Sequence, residues 1–104
     1  MKIFGKEYRF LFSVEARFEC SEIDESLPVD HRVIKSAVIL SRAYEKRQKF
    51  IDKSYVANEP LTEEMLMMLS PGEFSELCDE IGASTKEGLK TTVEVAKGKK
   101  KVSK

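Results

Sequence analysis

Apolar positions are spaced most regularly between Leu61 and Ile81. Phe74, Leu77, Cys78 and Ile81 recur at i, i+3, i+4 and i+7, the period of one helical face. The residues just ahead of them specify a start. Ser70 can cap, Pro71 suits the first helical position, and Glu73 sits three residues on, where its carboxylate closes a capping box. Leu69 and Phe74 then occupy the two positions of a hydrophobic staple. Gly82 reads as a left-handed stop. Upstream the idea repeats: Thr62 caps, Glu63 and Glu64 favour the helix dipole, and Leu61 and Leu66 can staple. The pattern predicts a short helix ending near Leu69 and a second running to about Ile81, together a two-helix corner.

The longest helical pattern precedes this corner, from roughly Asp30 to Ile51, with Asp30 or Ser26 as its cap. Val33, Ile34, Ala37, Val38, Leu40, Ala43 and Tyr44 form a wide apolar stripe over its first half. Glu45 to Lys49 is nearly all charged, and Phe50-Ile51 restores an apolar end that either folds back or meets a partner. At the N-terminus, Ile3-Phe4, Gly5-Lys6 and Glu7 to Phe12 read as a short hairpin with Tyr8, Phe10 and Phe12 on one face. Alternation continues formally through Val14, Ala16, Phe18 and Cys20. Yet Ser13 can cap a helix, and Val14 and Phe18 lie one turn apart, so period alone leaves strand and helix both open. Asp52 to Pro60 is a linker that Tyr55 and Val56 can pin. After Gly82 periodicity fails, Thr91 to Val95 is a short β-prone run, and the lysine-rich end has no apolar pattern. The expected fold is mostly α with a small N-terminal β-hairpin (α+β). In order it has a short helix, one long central helix, a two-helix corner and a flexible C-terminal tail. Residues 1–82 form one globular domain and residues 83–104 a flexible basic extension.

Charge changes this picture more than composition does. The 41% hydrophobic and 35% charged content fit a soluble globular chain of 104 residues. No run of about 18 apolar residues exists to span a membrane, and the first residues lack the apolar core of a signal peptide. Net charge is zero, but residues 59–80 hold seven acids and no base, and residues 97–104 hold five lysines and no acid. Residues 31–53 carry seven Lys or Arg against Glu45 and Asp52. Either basic and acidic elements face each other within the fold, or the acidic corner receives a basic partner.

Candidate chemistry is sparse. Cys20 and Cys78 form no paired motif and read as reduced thiols. His31 stands alone at a helix start, and a Cys–His nucleophile has no local support. Zinc needs more ligands than are present, and phosphate-binding glycine motifs are absent. No enzyme, metal or cofactor is expected. Met65, Met67 and Met68 form a soft apolar patch, either core or an adaptable partner surface. Lys97, Lys99, Lys100 and Lys101 can touch nucleic acid electrostatically, but the acidic body and the absence of interleaved aromatics argue against a dedicated binder.

Taken in order, several segments carry a family likeness: Phe4-Gly5-Lys6-Glu7-Tyr8, Phe12-Ser13-Val14-Glu15-Ala16 and Ala37-Val38-Ile39-Leu40-Ser41-Arg42-Ala43-Tyr44-Glu45. Pro60-Leu61-Thr62-Glu63-Glu64, Leu69-Ser70-Pro71-Gly72-Glu73-Phe74 and Thr92-Val93-Glu94-Val95 complete the series. Over almost its whole length the chain resembles the tail assembly chaperones of long-tailed bacteriophages and prophages. The resemblance implies that the hairpin turns directly into a helix, Ser13 to about Ile23. It implies a chaperone of the bacterial cytoplasm that binds the tape-measure protein, keeps it soluble, recruits tail-tube subunits and is absent from the finished particle. The expected contact surface is the exposed part of Met65, Met68, Phe74, Leu77 and Ile81; the rival expectation makes all five core. Self-association is compatible with either. Members of the family are often also made in a longer form by ribosomal slippage, for which Gly98-Lys99-Lys100-Lys101 offers a lysine run. Two other roles remain open: a structural tail or head–tail joining component, and a small nucleic-acid-binding regulator.

Overall fold

The computed structural model describes the side chains of residues 1–89, and the last helix is traced to Val102. β1 (Lys2–Ile3) and β2 (Lys6–Glu7) pair antiparallel, Lys2 opposite Glu7 and Ile3 opposite Lys6. Phe4 and Gly5 connect them with φ of 50° and 83°. Two successive positive φ values are the mark of the tight hairpin turn whose twist suits the strands. The turn therefore falls on Phe4-Gly5, one residue earlier than the sequence suggests, because both central residues must leave the right-handed region and Gly5 bears the larger share.

Pairing stops at Glu7, so the alternation through Phe12 builds no long strand. Residues 8–13 instead cross the central helix, where the Leu11 N–H donates to the Leu40 carbonyl at 3.0 Å. Tyr8 is 1% exposed, and its hydroxyl donates to the Glu59 carbonyl at 2.9 Å, tying the hairpin to the later linker. Asn58 donates to the Glu7 carbonyl, and Glu45 accepts from Tyr55 Oη and the Asn58 N–H. The linker of residues 52–60 is thus strapped down by one carboxylate, one amide and two phenols.

Helix α1 (Val14–Ser21) starts where Ser13 Oγ accepts from the Ala16 N–H at 3.1 Å. That cap decides between the two periods in favour of helix. Helix α2 (Val29–Ile51) begins on Pro28 with no side-chain cap; Asp30 lies in its first turn, and the Asp24 carboxylate serves Ser26 in the preceding turn. Proline's fixed φ starts this helix without a polar cap. Helix α3 (Glu63–Met67) is capped by Thr62, and helix α4 (Pro71–Val102) by the reciprocal Ser70–Glu73 pair, at 2.9 and 3.2 Å.

The other three helices all pack on α2, which contributes Ile34, Ala37, Leu40 and Ala43 to the core. Ile3, Tyr8, Ala16, Leu61, Leu66, Leu77 and Ile81 complete it. Each fully buried leucine of this set contributes about 2 kcal/mol of transfer free energy. The stop expected at Gly82 does not occur. Gly82 keeps helical φ, nothing in the next turn breaks a helix, and Ser84, Thr85 and Gly88 are partly buried. The cost of one mid-helix glycine, about 1 kcal/mol, is offset by packing beyond it. Residues 83–89 are consequently part of the folded unit rather than of an extension.

Candidate interaction surface

The five residues expected to face a partner do not share one outer face. Leu77 is fully buried and Ile81 is 7% exposed, because the periodic stripe of α4 lies against α2. Met65 and Phe74 are half-buried against the same core. Only Met68 projects, at 69% exposure, beside Met67 at 54%. The expectation is therefore corrected for Leu77 and Ile81, whose apolar periodicity reports core rather than surface. Lys97, Lys99, Lys100 and Lys101 lie outside the residues whose side chains are described.

What remains at this end is a small hollow of about 280 Å³ between the start of α2 and the α3–α4 corner. Pro28, Asp30 and His31 line it from the α2 start, and Leu66, Met67 and Phe74 from the corner. Its shape comes from local rules already named: the Leu69–Phe74 staple, the capped turn at Ser70, and a proline that starts α2.

A larger surface lies toward the other end of α2. The crossing segment Phe10–Val14 and residues 83–88 of α4 enclose a groove of about 760 Å³, with Arg47 at one wall. Around Val14 and Arg47 it runs into a hollow of about 370 Å³ that includes Ala43, Lys46 and Phe50. Val14 is 71% and Phe50 80% exposed. Gly88 sets the groove's narrow end. A Cβ there would stand 2.9 Å from the Phe12 carbonyl oxygen, so only glycine lets α4 approach this closely. Ending the helix at Gly82 hides this groove in the sequence; the readable signal was Gly88 six residues further along the same helix, opposite two phenylalanines with no strand partner.

Charge segregation is partly used inside the fold. Glu15 pairs with Lys46 at 2.9 Å, Glu19 with Arg42 at 3.5 Å, Glu63 with Lys35 at 3.4 Å and Glu59 with Lys6 at 2.7 Å. These exposed pairs orient elements and add little stability. Among the described residues no ion pair involves Glu64, Glu76, Asp79 or Glu80, nor Arg47, Lys49 or Lys53 at and just past the far end of α2.

Burial raises the Cys20 thiol above its ordinary pKa, a Ser36 contact opposing it, and burial likewise raises Cys78, with Asp30 and Asp79 adding to the effect. Both stay protonated, the reverse of an activated nucleophile. Among the described residues no group of three or more His, Cys, Asp or Glu side chains could hold a metal ion, and no helix is long and apolar enough to cross a membrane. Comparison with known proteins finds no matching family model, no similar curated protein and no similar solved structure.

Proposed function

We propose that this chain is a non-catalytic assembly chaperone of phage or prophage tails, one that binds the tape-measure protein and helps recruit tail-tube subunits. The order of sequence segments that resembles this family supports the reading. The observation that carries it furthest is the groove between Phe10–Val14 and residues 83–88 of α4. Its apolar floor of Phe10, Leu11 and Phe12, with Arg47 on the wall, suits one face of an amphipathic helix about 10 Å across. A tape-measure protein is a long helical chain with such faces and needs them covered until a tube surrounds it. In this role the protein acts in the bacterial cytoplasm and leaves before the particle is complete.

Co-expression with the tape-measure protein tests this. The native chain keeps the partner soluble and co-purifies with it. Ala83→Glu, at an exposed helical position in the groove, folds normally and loses both effects. An unaltered complex in that variant, or stoichiometric recovery of the chain from purified particles, excludes the reading; the second result makes it a structural tail component instead.

A further inference from the structure

We infer that the groove takes an acidic amphipathic helix, which lays an apolar ridge on Phe10–Val14 and sets carboxylates against the basic end of α2. The inference rests on the reading of this groove as a helix-docking site and adds the sign of charge its partner carries. The groove of about 760 Å³ and the hollow of about 370 Å³ share Ser13, Val14 and Arg47, so they form one continuous trough. On α2 its lining is Ala43, Lys46, Arg47 and Phe50, an i, i+3, i+4, i+7 set. That spacing marks a single helical face over two turns, about 10 Å long. With Phe50 80% and Val14 71% exposed, both sides of the trough offer uncovered apolar surface. On α4 the wall is built from the small residues Ala83, Ser84 and Gly88, so a second helix axis can come within about 8–10 Å.

Charge decides what flanks the ridge. Arg47 stands where the two hollows meet, and among the described residues no ion pair involves it, Lys49 or Lys53. The acids nearby are turned to other work. Glu15 is held by Lys46 at 2.9 Å, and Glu87 is on the α4 wall. Between residues 45 and 53 the acids are Glu45 and Asp52. Glu45 accepts from Tyr55 and Asn58, and Asp52 from Ser54, so both carboxylates serve the linker. The end of α2 therefore presents uncompensated positive charge beside Phe50. Such a rim attracts a partner bearing carboxylates and repels a basic one. A wholly apolar helix would desolvate the Arg47 guanidinium without pairing it, which is costly. A carboxylate one turn from the ridge can instead accept two parallel hydrogen bonds from that guanidinium.

Two synthetic helical peptides of about five turns test this on the full chain by fluorescence anisotropy. They share one leucine ridge, flanked by glutamates in the first and by lysines in the second. The acidic peptide binds at least about fivefold tighter at low salt, and the gap narrows as salt is added. Arg47→Glu brings that ratio to one or below, and Ala83→Glu weakens both peptides, which places them in the trough. Both positions are exposed, so the variants fold, which circular dichroism checks. Equal affinities, a basic preference, a ratio that Arg47→Glu leaves intact, native affinity in Ala83→Glu, or no binding of either peptide overturns the inference. The last result is also what a trough filled by a second copy would give. Co-expression of Arg47→Glu with the tape-measure protein separates the two readings. A complex lost with Ala83→Glu but indifferent to Arg47→Glu keeps the tape-measure reading and sinks the acidic helix. Acidic-peptide binding by a chain that does not hold the tape-measure protein does the opposite.

Discussion

Two glycines of α4 sit six residues apart and answer opposite demands. Around Gly82 nothing lies within 4 Å of the space a Cβ would fill, and its φ is helical. Gly82→Ala therefore removes chain entropy from the unfolded state and raises stability by about 0.5–1 kcal/mol. At Gly88 the same methyl meets the Phe12 carbonyl oxygen at 2.9 Å and the Phe12 Cβ at 3.0 Å. A backbone atom cannot rotate aside, so Gly88→Ala costs about 1–3 kcal/mol and pushes α4 away from the groove. Thermal melts of the two variants should move in opposite directions; equal shifts would refute this account of the groove's narrow end. At this scale the sequence was readable where a residue's role is local. Ser13, Thr62, Ser70 and Glu73 cap as their types and spacing require. Leu77 and Ile81 were recognisable as apolar but not as core, because what covers a helical stripe depends on a neighbour distant in sequence.

Among the elements, the corner between α3 and α4 is specified most completely by adjacent residues. Ser70 and Glu73 satisfy each other's backbone N–H groups, and Leu69 and Phe74 close over the turn against the core. Ser70→Ala leaves the Glu73 N–H without its acceptor and costs about 1 kcal/mol, a melting shift of roughly 4–8 °C for a domain of this size. Ser70→Asp, which caps equally well, should restore the native melting point; failure to do so would mean the hydroxyl matters for something other than capping. Element boundaries were less legible wherever two signals competed. The alternation of Tyr8, Phe10 and Phe12 is real, but among the described residues no strand pairs with it, so it becomes a strap across α2. Gly82 carries the residue type of a stop without the left-handed φ that makes one. Pro28 supplied a start that a search for polar caps overlooks.

Across the whole molecule, two sets of groups set opposite limits on stability against pH. Glu7, Asp24, Asp52, Glu59 and Glu73 are all held below their ordinary values. The causes are hydrogen bonds from the Met1 ammonium, the Ser26 N–H, the Ser54 hydroxyl, the Lys6 ammonium and the Ser70 N–H, respectively. A carboxyl depressed in the folded state stabilises fully above its unfolded pKa, and that contribution disappears as pH falls through the folded one. Acid loss of stability should therefore begin near pH 4, the range of free carboxylates, and continue below it. All five are at the surface, so the limb is shallow. Tyr8 behaves in the other direction. Burial raises its phenol, and the neutral O–H is the form that donates to the Glu59 carbonyl. A raised group stabilises fully below its unfolded pKa and loses that as pH climbs through the folded value. Tyr55, raised by burial and by its bond to Glu45, and the two raised thiols act with the same sign. The alkaline limb thus opens near pH 8.5 with the cysteines and steepens near 10 with the tyrosines. Urea midpoints measured across pH should show a plateau between the limbs. Tyr8→Phe removes one donor from the Glu59 carbonyl, lowering that plateau by about 1 kcal/mol, and makes the limb above pH 10 visibly less steep. An unchanged alkaline slope in that variant would mean the hairpin is not fastened to the 52–60 strap through this phenol. The Asn58–Glu7 and Leu11–Leu40 bonds would then carry the placement of the groove's Phe10–Phe12 wall.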